Sequence, residues 1–209
     1  MIGRGPGEPV QTYGRGLAGL VAGDTAISRI DGERGRLLFR GYRVEELCAE
    51  CSFEEVSFLV LQGELPSPAE LEEWRCELES WLDPPDAAVA VLARLPRDAH
   101  PLAKYRTMLT VAACVIPEPE NTRLDAQWRR PARILSWTSG LAAAAIRHLC
   151  GELPLRAPEG LTFAGRFLAQ ALGRAPTPEE ERAFDASLIA QAEHGLHAAA
   201  LAALTVVSA

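Results

Sequence analysis

Lysine is all but missing from this chain. Lys104 is the single lysine among 21 basic residues, the rest being arginine. Tyr105 follows it, so the Gly-Lys-Ser/Thr ending of a phosphate-binding loop is absent. A Schiff-base lysine therefore has one candidate position. Basic residues are also outnumbered by 28 acidic ones, for a formal net charge of −7. A nucleic-acid binder needs a basic face to meet phosphates, and this balance argues against one. No apolar signal segment opens the chain, because Met1 to Tyr13 is rich in glycine and proline. The longest weakly polar stretch, Leu196 to Ala209, is only 14 residues. A bilayer span needs about 20, so no membrane partner is expected. Cysteines number 5, an odd set, which points to a reduced, cytoplasmic setting. Cys48 and Cys51 form a CxxC, but a zinc site would want a second such pair, and the sequence has none. The two cysteines read as small residues of a helix, and no metal is expected.

What the chain does have is an ordinary globular composition, 48% hydrophobic and 23% charged over 209 residues. That length suits one domain or one and a half. Residues 1–15 read as a flexible tail. Two short apolar runs, 25–30 and 36–41, flank Asp31-Gly32 and Gly35 and read as a β-hairpin. Everything later reads as helix. Ser52 with Glu55 makes a capping box ahead of an apolar run that Gly63 ends. Ser67-Pro68 with Glu70 starts a helix through Trp74 to Trp81, which Pro84 and Pro85 break. Further helices are expected over 86–95, from Pro101 to Val115, and over about 124–149, where Pro131 predicts a kink or break. Thr162 opens a helix to Leu172, and Thr177 with Glu180 opens the last helical stretch. The class is all-α with a small N-terminal β-hairpin.

The C-terminal stretch from His197 is apolar on nearly every side, which is the pattern of a buried helix. Leu201, Leu204, Val206 and Val207 are expected to be buried in a complete fold. The chain reads as the front part of something larger, with this stretch left to self-associate or to lose its last turns.

There are 4 histidines. His194 and His197 are three residues apart, beside Glu193. On one helical face they could begin a metal site, grip a carboxylate through imidazole N–H groups, or be polar residues satisfied within the helix. Two imidazoles are too few for a metal, and no third ligand is evident. His100 precedes Pro101 and reads as a helix cap. His148 sits near the end of the long helix, where a basic residue meets the negative end of the dipole. Arg123, Arg129, Arg130 and Arg133 read as a solvated helix face. No Ser/His/Asp or Cys/His nucleophile pattern is present.

Residues 16–28 (Gly16-Leu17-Ala18-Gly19 through Ile27-Ser28) resemble the start of prokaryotic citrate synthases. The likeness continues through Ile30-Asp31-Gly32-Glu33-Arg34-Gly35 and on to Tyr42, in Ser52-Phe53-Glu54-Glu55-Val56, in Gly63-Glu64-Leu65-Pro66, and in Leu95-Pro96-Arg97-Asp98-Ala99-His100-Pro101. The resemblance covers residues 16–209. It implies the large-domain portion of a helical, homodimeric acyltransferase. That enzyme condenses acetyl-CoA, or propionyl-CoA in the 2-methylcitrate synthases, with oxaloacetate in the tricarboxylic acid cycle or beside it, with acyl-CoA as substrate and no cofactor.

The family carries a motif of the type His-Ser/Ala-Asp-His-Glu-x-Asn-x-Ser. The matching stretch is Gln191-Ala192-Glu193-His194-Gly195-Leu196-His197-Ala198-Ala199. By this resemblance His194 is the histidine that hydrogen-bonds the oxaloacetate carboxylate, and His197 is a second substrate-binding candidate, standing where the family has Asn. Gln191, Glu193 and Ala199 also depart from the pattern. The family's catalytic histidines, its general-base aspartate and its carboxylate-binding arginines are expected beyond Ala209, so the resemblance implies no catalytic residue within the chain. Two readings follow. One is a synthase portion, inactive alone, that needs a complementing C-terminal half. The other is a degenerate, non-catalytic homologue that binds a dicarboxylate or a synthase subunit.

Overall fold

The computed structural model describes residues 25–115, 126–156, 158–193, 195, 199, 202, 203 and 206, with backbone alone for 126–129. The expected tail, Arg123, Arg129, His194 and His197 lie outside the described residues or side chains. Residues 27–194 form one compact unit, and residues 195–209 group with residues 1–26 in another.

The larger unit opens on strands β1 (Ser28–Asp31) and β2 (Arg36–Phe39), paired antiparallel with Asp31 opposite Arg36. The turn between them is held by the Asp31 carboxylate, which accepts from the Arg34 backbone N–H. A two-residue strand β3 (Tyr42–Arg43) adds to β2, so the expected hairpin is a three-stranded sheet. Arg40 and Gly41, both at positive φ, make the second reversal. A two-residue strand has no periodicity for the sequence to display.

Helix α1 (Val44–Glu50) follows directly. It buries Val44 and Leu47, and Cys51 caps it. The capping boxes at Ser52, Ser67 and Thr177 all form, opening α2 (Phe53–Gln62), α3 (Pro68–Glu79) and α8 (Pro178–Ala190). Gly63 ends α2 in the left-handed region at φ 104°, as the sequence predicts. α3 stops at Glu79, short of Trp81, and α4 (Asp86–Leu92) stops short of Leu95. α5 spans Pro101–Cys114, and α7 (Phe163–Leu172) starts at the Thr162 cap. The expected break at Pro131 is absent: α6 runs unbroken over Ala126–Leu149. Pro131 is the sixth residue of that helix. So near an N-terminus it removes only an early backbone bond, and the packing of the remaining length outweighs the loss.

Two apolar clusters hold the unit together. One joins Phe39, Leu47, Val56, Trp74, Leu78, Phe163 and Ile189, so that α2 and α3 pack with α7 and α8. The other joins Ala88, Leu92, Met108, Leu141 and Ala145, from α4, α5 and α6. The alanines of α6 let the helices approach closely. At Gly140 a Cβ would stand 3.0 Å from Pro84 Cδ, so a larger residue there would require Pro84 to shift.

Candidate functional site

The described half of the candidate region is built on α8. Its side chains reach the amino ends of two other helices. Asp185 accepts from the Phe53 backbone N–H at the start of α2, with both oxygens at 3.2 Å. Glu181 accepts from the Thr162 hydroxyl at the start of α7. Glu54, fully enclosed on α2, accepts from Phe163 N–H at 2.8 Å. Carboxylates suit these places because helix amino ends carry unpaired N–H groups and partial positive charge. Crowding has a consequence: burial, and then the charges of Glu54, Glu181 and Glu55, push the Asp185 carboxyl up to about 6, against the lowering effect of its bond to Phe53.

Arg166 of α7 answers part of this negative charge. It is buried, lies 3.4 Å from Glu79, and leaves Nη1 without a hydrogen bond. Desolvation lowers its pKa, opposed by Glu79 and Glu54. Composition gave no hint of these buried charges, since charge at a position does not disclose burial. The spacing of Glu54 within the N-terminal turn of α2 was the one available signal, and it is also a plain helix-start signal.

Beside α8 lies a groove of about 710 Å³ lined from α2, α6 and α8. Phe53, Leu61, Ile134, Leu135, Phe184 and Leu188 give it an apolar wall, and Ser57, Ser187 and Gln191 its few polar groups. Among the described residues no cation lines it.

α8 ends at Ala190, before the histidine stretch. Gln191 caps it and donates to the Ser187 carbonyl and hydroxyl. Glu193 lies outside the helix and accepts from the Ser28 hydroxyl at 3.4 Å. Gly195 sits at φ 87°. A left-handed residue at this position is outside α-helical geometry, while His194 and His197, expected on one helical face, lie outside the described residues. Ala199, Ala202, Ala203 and Val206 are helical, and Val206 is 76% exposed; Leu201, Leu204 and Val207 lie outside the described residues.

His100 caps α5 as expected, its Nδ1 accepting from Leu102 N–H at 3.2 Å. His148 departs from the simple helix-end reading. It is in the last turn of α6, but its Nε2 is buried without a partner, and burial together with Lys104 and Arg97 holds its pKa below the usual value. Lys104, the one Schiff-base candidate, is fully buried and donates to the Arg97 carbonyl at 2.6 Å. Arg133 does not belong to a solvated face. Its guanidinium lies 5.5 Å from the Trp81 ring and 5.6 Å from the Trp137 ring, and its Nε is buried. Arg130 is exposed. Cys48 and Cys51 are both free, and burial and neighbouring carboxylates raise both thiol pKa values. Among the described residues no group of three or more His, Cys, Asp or Glu is placed to hold a metal, and no helix is long and apolar enough to cross a membrane.

The family model described as citrate synthase, C-terminal domain, matches residues 16–209. The chain belongs to the citrate synthase family. A 2-methylcitrate synthase of Mycobacterium tuberculosis is 34% identical over 93% of this chain and 49% of that protein. A citrate synthase of Mycolicibacterium smegmatis is 34% identical over 93% of this chain and 52% of that protein. The chain thus spans about half the length of the curated relatives it matches. Among solved structures, the citrate synthase of Thermoplasma acidophilum in ternary complex with carboxymethyl coenzyme A and oxaloacetate is similar at a TM-score of 0.81. Identity there is 27%, over 88% of this chain and 48% of the other. The all-helical architecture with its small sheet is that of a citrate synthase portion. Names within the family divide between citrate and 2-methylcitrate synthases.

Proposed function

We propose that this chain supplies the large-domain portion, residues 16–209, of an enzyme that condenses an acyl-CoA with oxaloacetate. The reading rests on one observation above all: the likeness to the Thermoplasma synthase bound to oxaloacetate and a coenzyme A derivative. In this reading His194 donates a hydrogen bond to an oxaloacetate carboxylate, with His197 beside it as a second substrate contact. A neutral or charged imidazole can do so from either ring nitrogen. The chain works as a homodimer, or joined by a complementing C-terminal half, and in the cytoplasm.

The chemistry sets a further expectation. Removing a proton from the acyl methyl needs a placed base, and the enol oxygen needs a donor. Each such group is worth roughly 10²–10⁴ in rate. By the family resemblance the base and the polarising histidines are not among these 209 residues. A polypeptide of this sequence alone therefore releases no CoA above background from acetyl-CoA or propionyl-CoA with oxaloacetate. Turnover near an ordinary enzyme rate of about 10 per second would overturn that expectation. The second reading, a non-catalytic homologue, is favoured by the changes at Gln191, Glu193, His197 and Ala199. Co-expression with a C-terminal half of a 34%-identical relative separates the two: recovered CoA release supports the synthase portion, and saturable oxaloacetate binding without turnover supports the homologue.

A further inference from the structure

Where the start of α5 meets the end of α6, positive charge collects with no ion pair to offset it among the described residues. Lys104 is fully buried, and its ammonium has one described acceptor, the Arg97 carbonyl at 2.6 Å. An ammonium has three N–H donors, so two are left over. The Arg97 side chain is turned toward the carboxyl end of α6: its Nη1 lies 3.6 Å from the point where a Cβ on Gly151 would stand. Gly151 in turn donates its N–H to the His148 carbonyl. The His148 imidazole feels both cations, and its Nε2 is buried with no hydrogen-bond partner.

Among the described residues none of the three side chains makes an ion pair. Asp98, next to Arg97 in sequence, makes no ion pair with these three side chains among the described residues, and Glu152, four residues beyond His148, is engaged by Arg147. The carbonyl end of α6 contributes about half a negative charge, which cannot balance two full cations. A buried charge without a partner is costly, by several kcal/mol in general. A dianion with several acceptor oxygens would remove that cost, accepting from Lys104 Nζ, His148 Nε2 and the Arg97 guanidinium together. Arg97 is exposed, so the cluster opens to solvent on that side.

We propose that Arg97, Lys104 and His148 form a binding site for a phosphate-class oxyanion, either free phosphate or the phosphoryl group of a larger ligand. The proposal does not depend on the acyl-transfer reading.

The test titrates the full 209-residue chain with inorganic phosphate at constant ionic strength, with chloride as the balancing ion. Two signals are followed: the thermal midpoint and the His148 ring proton resonances. Saturable rises in the midpoint, with His148 resonances moving on the same curve, are expected. Arg97→Gln, an exposed change that leaves the fold alone, should weaken the apparent affinity at least tenfold, and Lys104→Met should abolish it. Arg182→Gln, on the exposed side of α8, should bind as the parent does. A phosphomonoester that binds more tightly than inorganic phosphate would assign the site to a larger ligand; equal or weaker binding would assign it to the free ion. The proposal is overturned if Arg97→Gln binds phosphate like the parent, or if the His148 resonances ignore phosphate.

Discussion

Asp185 holds the first turn of α2 by accepting from Phe53 N–H with both carboxylate oxygens, across 132 residues of sequence. A side chain from the last helix of the larger unit thus does the work usually left to a local cap, although Ser52 caps the same helix from within. The arrangement ties α8 to α2.

This relationship carries a pH dependence. The Asp185 carboxyl is raised from 3.8 to about 6. Between those values the folded chain keeps a proton that the unfolded chain has released. Its contribution to stability is present at the acid end and is lost as pH rises through about 6. His148, with its pKa lowered, acts oppositely below its usual value. The clean comparison is therefore parent against Asp185→Asn, since asparagine still accepts from Phe53 and does not titrate. In urea melts the parent should gain on the variant between pH 7 and pH 5. An unchanged difference would show that Asp185 is not titrating there.

Arg166 and Glu54 are buried charges of opposite sign, each with one atom lacking a hydrogen bond. Removing one member of such a set leaves the other uncompensated, at a cost of about 3–5 kcal/mol. Arg166→Met should destabilise by roughly that amount, and Arg166→Met with Glu54→Gln by clearly less. Chemical denaturation of the single and double variants checks this. A double variant as unstable as the sum of its parts would mean the two charges do not communicate.

Trp74 is 1% exposed and donates from Nε1 to the Ser57 hydroxyl at 3.0 Å, binding α3 to α2. Trp74→Ala empties a large volume in the first apolar cluster and should cost about 3–5 kcal/mol. Trp74→Phe, which loses the hydrogen bond but less of the packing, should cost less. Denaturant midpoints at unchanged slope are the measurement.

The CxxC pair should be sluggish toward alkylation. Burial and nearby carboxylates disfavour the thiolates of Cys48 and Cys51, and the thiolate is the reactive form. Timed iodoacetamide labelling at pH 8, read by peptide mass, should modify the exposed Cys76, Cys114 and Cys150 first. Early labelling of Cys48 or Cys51 would reopen a redox role.

His194 carries the substrate-binding proposal. Calorimetric titration with oxaloacetate should show weaker binding for His194→Ala than for His148→Ala. Equal losses would remove His194 from that role.

Local signals determined most of the fold. Ser52, Ser67 and Thr177, each with an acidic residue three positions on, mark helix starts that the structure reproduces. His100 was legible for the same reason, because a cap is made within a few residues of itself. The family, too, was written in short ordered motifs along residues 16–101.

What the sequence could not decide depends on partners far away in the chain. The fate of Pro131 depended on where α6 begins, which leaves the proline near the helix N-terminus, and on how the remaining length packs. Arg133 looked like one of several surface arginines until Trp81 and Trp137 enclosed it. Asp185 and Phe53, Glu54 and Phe163, and Lys104 and His148 meet only because helices distant in sequence pack together. Periodicity and capping report the backbone within one turn of a residue. Burial, charge pairing and pKa belong to the neighbours that tertiary packing brings, and these are what determined which polar residues of this chain are buried and left without partners.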